Sequence, residues 1–310
     1  MKILVVGPAL THNCTAFSIT RACTNLKHSV LLINTRGNEY NYSKEIIEFK
    51  PDLGIFLGHD PLAFNLITYK LFAFRKITWC FDFDPKSYME GIRLARSADM
   101  SFFMSPKLVE VAMSNGARCP RFMPMGADVF MYHPVEIESG KMRNIGFIGS
   151  PKEPRKEMLE KIARNLGECI DVTGEGWREL KCNPELLNVY DPVYCDKFNN
   201  FCCSHKVIIN LTQYKGFETP PHTHSQRYFM VPATKTFMIS EKIDYLPILP
   251  NYYEPYLIPE FKDADEASEH IEYYLHDNEL RNEKKRLTYE RTLERHTYEY
   301  RLERILGYIK

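Results

Sequence analysis

Short apolar runs alternate with longer stretches of helical spacing along this chain, and that alternation constrains the fold more than any other feature. Apolar runs occupy residues 3–6, 30–33, 53–57, 77–81 and 101–104. Between them lie Ala16, Ile19, Ala22 and Leu26, then Leu62, Leu66, Tyr69 and Leu71, then Tyr88, Ile92, Leu94 and Ala95, then Leu108, Val111 and Ala112. Each set has the spacing of one helix face. Strand followed by helix followed by strand makes a right-handed βαβ unit, and a series of such units makes a parallel sheet. The pattern breaks over 119–143, where Pro120, Pro124, Gly126 and Pro134 punctuate a polar stretch that reads as a linker. It then resumes with strands at 143–148, 169–172, 206–211 and 236–240 and a helix at 156–166. A helix-rich end follows over 267–310, where Leu302, Ile305, Leu306 and Ile309 form an apolar stripe. The charged run 281–286 reads as a solvated helix face.

A length of 310 residues suits two domains. Two successive α/β halves imply a cleft, with ligands beyond the carboxyl ends of the strands. Lys+Arg and Asp+Glu number 40 each, so global charge gives no support to a nucleic-acid or anionic-membrane binder. No apolar run reaches the roughly 18 residues of a membrane span. Gly7-Pro8 ends the first apolar run too early for a signal peptide. The nine cysteines are odd in number, irregular in spacing and without a Cys-x-x-Cys pair. Free thiols in a reducing, cytoplasmic setting are the expectation.

The residues after each strand carry what chemistry the sequence offers. Gly7 opens a strand-to-helix turn that runs on to Thr11, and His59-Asp60 follows the third run. The full Gly-x-Gly-x-x-Gly pattern is absent, so the first turn alone is a weak signal. After 143–148 comes Gly149-Ser150-Pro151-Lys152-Glu153-Pro154-Arg155-Lys156. A small residue, a capping serine and cations before a helix suit a diphosphate, although a solvated loop fits the pattern equally well. Gly174-Glu175-Gly176-Trp177 ends the next strand in a similar way. Asp82-Phe83-Asp84 could hold a divalent cation, or one Asp could cap the helix beginning near Pro85. His222 and His224 form a pair without a third ligand at zinc spacing. No nucleophile elbow or Cys–His–Asn arrangement appears.

Six segments, taken in order, resemble the spore-maturation CgeB-type glycosyltransferases, members of the broader group-1 (family four) transferases. They are Trp79-Cys80-Phe81-Asp82-Phe83-Asp84-Pro85; Pro124-Met125-Gly126-Ala127-Asp128; Asn144 to Ser150 with Arg155 and Leu159; Lys206 to Leu211; Arg227-Tyr228-Phe229 leading to Thr236–Glu241; and His296-Thr297-Tyr298 with Arg301, Ile305 and Leu306. Phe261-Lys262-Asp263 also resembles a family turn. The resemblance covers roughly residues 76–306.

It implies the GT-B fold, an α/β class with two Rossmann-like doubly wound domains facing a cleft. Residues 1–138 would form the acceptor domain, 139–290 the nucleotide-sugar domain, and 291–310 a helix crossing back onto the first. It implies sugar transfer from a nucleoside-diphosphate sugar, a UDP-sugar foremost, with retention of configuration and no required metal. Carried over by position, Gly149, Ser150 and Arg155 would face the donor diphosphate, Gly174 the base, and Ser225, Arg227 and Lys235 the phosphates or sugar. Arg227, His222 and Asp82 would be catalytic, and Gly7, Thr11, His59 and Asp84 would line the acceptor side. The acceptor is open: small molecule, glycan, protein or modified DNA base. The sequence departs from the family where Met230 and His222 replace a glutamate pair and Lys235 replaces a glycine. A catalytically degenerate sugar-nucleotide- or glycan-binding protein, a viral-type DNA-base transferase and a metal-dependent enzyme using Asp82 and Asp84 are the competing readings.

Overall fold

The computed structural model describes residues 1–9, 15–36, 42–57, 61–68, 72–81, 85–138, 140–152, 154–211, 225–243 and 256–309. The chain starts with β1 (Lys2–Gly7), buried at every position after Lys2. It continues through α1 (Thr15–Asn25), β2 (Ser29–Asn34), α2 (Ser43–Phe49), β3 (Leu53–Leu57), α3 (Pro61–Thr68), β4 (Arg75–Cys80), α4 (Pro85–Ala95), β5 (Met100–Phe103), α5 (Pro106–Ser114) and β6 (Pro120–Phe122). These strands form one parallel sheet in the order β2-β1-β3-β4-β5-β6. β1 and β3 are apolar without alternation because helices cover both faces of a parallel sheet. The order reverses between β1 and β3, which makes their carboxyl ends the topological switch point. Gly7 stands there, and a Cβ added to it would come within 2.9 Å of the Leu57 Cβ.

The second sheet has its own strands and helices. They are β7 (Arg143–Ile148), α6 (Arg155–Leu166), β8 (Ile170–Thr173), β9 (Leu187–Tyr190), α7 (Asp196–Cys203), β10 (His205–Asn210), α8 (Arg227–Ala233), β11 (Met238–Glu241), β12 (Glu260–Phe261), α9 (Ala264–His276) and α10 (Asn278–Arg295). The order is β12-β11-β10-β7-β8-β9, all parallel. The chain winds from β7 out to β9, then returns past β7 to β10, so this sheet switches between β7 and β10. On α6, Arg155, Leu159, Ile162 and Ala163 are buried along one helical face. Leu159, Ile162 and Ala163 join Phe147, Val172, Ile209, Ile239 and Ile271 in the core. Asp263 starts α9 by accepting from the Asp265 and Glu266 amides, both at 3.0 Å.

The last helix, α11 (Tyr298–Ile309), belongs to the first sheet. Its stripe of Tyr298, Leu302, Ile305 and Leu306 joins Ala16, Ile19 and Cys23 of α1 in one cluster with Trp79. The Trp79 indole N–H donates to the Met123 carbonyl at 3.1 Å, and its ring meets Tyr298 edge-on at 6.0 Å. Two compact units result: Met1–Met125 with Tyr298–Lys310, and Gly126–Pro220 with His224–Thr297. No described helix is long and apolar enough to cross a membrane.

Candidate functional site

Open parallel sheets bind ligands where the strand order reverses, and in the second sheet that edge is built with unusual closeness. Gly149 follows β7 with φ +149°, and Gly174 follows β8 with φ +145°. The two backbones touch: a Cβ on Gly174 would run into the Gly149 carbonyl, and one on Gly149 would overlap the Arg227 guanidinium. Both positions are therefore closed to any side chain, by backbone conformation and by space. The Gly149 amide donates to the Thr173 carbonyl at 2.8 Å. The Gly149 carbonyl accepts from the Trp177 indole N–H at 2.6 Å. Trp177 is 1% exposed and stands edge-on to Phe147 at 6.1 Å.

Arg227, the first residue of α8, spans the two strand ends. One terminal nitrogen donates to the Ile148 carbonyl on β7 and the other to the Leu211 carbonyl past β10, at 3.2 Å. Its Nε donates to Ser225 Oγ at 3.3 Å, and its guanidinium lies over the Phe147 ring at 5.7 Å. Ser225 donates on to Asn210 Oδ1 at 3.4 Å, and the Asn210 amide donates to Ser240 Oγ at 2.9 Å. A polar chain thus crosses the ends of β7, β10 and β11. Arg155 is 2% exposed and turns back from the start of α6 to donate to the Ser150 carbonyl at 3.1 Å and Ser150 Oγ at 3.4 Å. A cation at a helix N-terminus opposes the macrodipole, so this residue earns its place through the loop it grips.

The loops after β8 and β9 are tied across. Thr173 Oγ1 donates to the Asp191 carbonyl at 2.5 Å, Arg178 pairs with Asp191 at 2.7 Å, and the Tyr194 hydroxyl donates to Glu175 at 2.7 Å. The Glu175 carboxylate, helped by burial, raises the Tyr194 phenol above its ordinary range.

Gly149, Ser150, Arg155, Gly174, Ser225 and Arg227 therefore form one contiguous cluster. Lys235 stands apart from it, at the far end of α8 with φ +55°, its ammonium 5.7 Å from the Tyr289 ring centre on α10. Gly7 is at the switch point of the first sheet. Thr11, His59, Asp82, Asp84 and His222 lie outside the described residues. Trp177, Asn210 and Ser240 contribute to the cluster without having been expected there. The available signal was a polar residue at the end of an apolar strand for Asn210 and Ser240, and a tryptophan in the loop after one for Trp177.

The amino edge of the second sheet carries a different network. Asp171 accepts from Arg143 at 2.7 Å and Asn188 at 3.0 Å, and meets His205 Nε2 at 3.1 Å. Burial pushes the Asp171 carboxyl up, but the hydrogen bonds from His205, Arg143 and Asn188 outweigh it and hold the group below its ordinary value. A recess of about 1020 Å³ in the first unit, lined by Leu26, His28, Asp52, Phe74, Arg75 and Leu306, likewise lies at the amino edge. That is the wrong end of the strands for a ligand of this fold.

A family model described as Glycosyl transferase-like matches residues 153–307, half of the chain. The chain belongs to this family. The matched span begins in the loop gripped by Arg155 and takes in β8 to α11. Among solved structures, the sucrose-phosphate synthase of Thermosynechococcus elongatus aligns at TM-score 0.63 and 12% identity, over 99% of this chain and 98% of that one. Anabaena HepE in complex with UDP aligns at 0.65 and 9%, over 100% and 99%. T4 phage BGT with its UDP-glucose substrate aligns at 0.58 and 10%, over 98% and 97%. At these identities the likeness establishes the fold, the two-sheet GT-B arrangement of glycosyltransferases, along the whole chain. No curated protein sequence matches significantly.

Proposed function

We propose that this member of the Glycosyl transferase-like family transfers a sugar from a nucleoside-diphosphate sugar, with a UDP-sugar as donor, and that the diphosphate sits over the Gly149–Ser150 loop. The observation that carries the reading is the Gly149–Gly174 backbone contact beside Arg227 at the β7/β10 switch point. The two glycines let the loops after β7 and β8 and the Arg227 guanidinium close up at the switch point. That brings loop backbone and a cation together where a diphosphate would bind, and the guanidinium offsets the charge that grows on the leaving group. The sugar's anomeric C–O bond to the diphosphate breaks, a bond to an acceptor oxygen forms, and the acceptor's proton is released. UDP complexes among proteins of the same fold support UDP as the nucleotide.

The finer parts of the proposal are CgeB-type membership, a cytoplasmic setting, retention of anomeric configuration and independence from metal. They rest on the sequence resemblance and on the Arg227 charge. His222 and Asp82 remain the proposed catalytic partners of Arg227, with Gly7, Thr11, His59 and Asp84 proposed on the acceptor side and Lys235 as a source of positive potential. We also propose 1–138, 139–290 and 291–310 as the functional division of the chain.

The test is thermal unfolding with UDP and UDP-glucose, with and without chelator. Ligand at a hundred times its dissociation constant adds about 2.7 kcal/mol. That raises the melting point by roughly 5 °C or more. A shift that persists in chelator supports the reading, and NMR of fresh product gives the anomer. No shift with any nucleotide sinks it. One observation favours a second reading: Met230 is a buried apolar residue where the family resemblance calls for a glutamate. Binding without turnover or donor hydrolysis would make the protein a sugar-nucleotide binder. The likeness to a DNA-modifying beta-glucosyltransferase warrants including DNA that carries modified bases in the acceptor panel.

A further inference from the structure

The Ser150 backbone is fixed on both sides by side chains that have no evident need to be there. Upstream, the Gly149 carbonyl is taken by the Trp177 indole at 2.6 Å. Downstream, the Ser150 carbonyl is taken by Arg155 at 3.1 Å. The Gly149 carbonyl and the Ser150 N–H belong to one peptide plane, and in a trans peptide these two groups point in opposite directions. A hydrogen bond that fixes the carbonyl therefore fixes the direction of the amide as well. The Ser150 N–H itself donates to nothing among the described residues, although its neighbours Gly149 and Arg155 donate to the carbonyls of Thr173 and Lys152. Ser150 is half-buried, and no described protein group competes with water or a ligand for its amide.

We propose that Trp177 is a positioning residue, which aims the Ser150 amide as an oriented donor to a phosphate oxygen of the bound nucleoside diphosphate. Three features support this over a packing role alone. The indole is 1% exposed, so it makes no contact with bulk ligand. Its polar atom is spent on a loop carbonyl. That carbonyl belongs to the residue whose faces are closed by Gly174 and Arg227, so the plane has little freedom once the indole bond is made. The bond also polarises the peptide: a donor on the carbonyl oxygen strengthens the N–H at the other end as a donor. The inference rests on the donor reading above and adds to it the residue that sets the phosphate geometry.

Trp177→Phe keeps an aromatic ring against Phe147 and removes the N–H together with the five-membered ring that carries it. UDP binding to wild type and variant is measured by titration calorimetry below the unfolding range, where stoichiometry reports the folded fraction and Kd the site. The expected result is an unchanged stoichiometry with Kd weakened about ten-fold, the loss of one well-placed hydrogen bond. A purely structural role would lower the stoichiometry and leave Kd alone, and that result overturns the proposal. A second measurement serves if the variant does not fold. The chain has two tryptophans, so its NMR spectrum holds two indole N–H signals, and Trp79→Phe assigns them. UDP should move the Trp177 signal downfield as phosphate accepts from the far end of its peptide. UDP binding with an unmoved Trp177 signal overturns the proposal. Wild type that binds no UDP in either experiment removes the donor reading, and this inference with it.

Discussion

Single residues decide the site because two loops from different strands share one small space. Gly174 and Gly149 read as ordinary turn glycines in sequence. The demand for glycine arises from their contact with each other and with Arg227, which no local pattern encodes. Gly174→Ala should therefore cost about 1–3 kcal/mol through its left-handed backbone, lowering the melting point by roughly 2–10 °C, and should weaken UDP binding alongside. A variant with wild-type melting point and affinity would show that the loops can part freely. Asp171 offers a second test at the same scale. Its folded-state pKa is lowered, so it contributes stability above the unfolded value of about 3.9 and loses it as pH falls through the folded value. Urea unfolding of wild type should weaken between pH 6 and pH 3 more steeply than that of Asp171→Asn. Parallel pH profiles for the two proteins would remove Asp171 from the account.

At the level of elements, legibility followed burial. β1, β3, β7 and β10 are the central strands, covered on both faces, and their continuous apolar runs announce them. β6, β9 and β12 lie at the sheet edges with two to four residues each, and β6 begins at a proline. An edge strand needs little apolar length, and Leu187-Asn188-Val189-Tyr190 buries only its first residue fully, so nothing in composition separates it from a loop. α7 and α8 are short, seven or eight residues, and α8 carries Pro232. Its existence rests on packing rather than propensity. The α11 stripe is the opposite case: Leu302, Ile305 and Leu306 were legible by spacing and are buried against α1. Leu302→Ala should cost about 2–5 kcal/mol, measured as a lower denaturation midpoint of the transition that Trp79 reports. A cost under 1 kcal/mol would mean that α11 is dispensable to that core.

For the whole molecule, the two α/β units and the order of their central strands could be read from the sequence. The candidate cluster could be read only in part: Gly149, Ser150, Arg155, Gly174, Ser225 and Arg227, expected to share a ligand, are neighbours in the fold, while Trp177, Asn210 and Ser240, which hold them, were given no such role. Side chains that act through a neighbour's carbonyl leave no mark in a motif. The membership of α11 in the first unit carries a consequence for how the protein is made. Synthesis runs from the amino end, yet Tyr298, Leu302 and Ile305 complete a core whose other walls are β1, β3, β4 and α1. A ribosome must extend the chain through all the strands of the second sheet before that wall exists. The second unit can thus mature on the nascent chain while the first waits with its apolar α1 face exposed, in need of a chaperone or of fast closure once the last helix emerges.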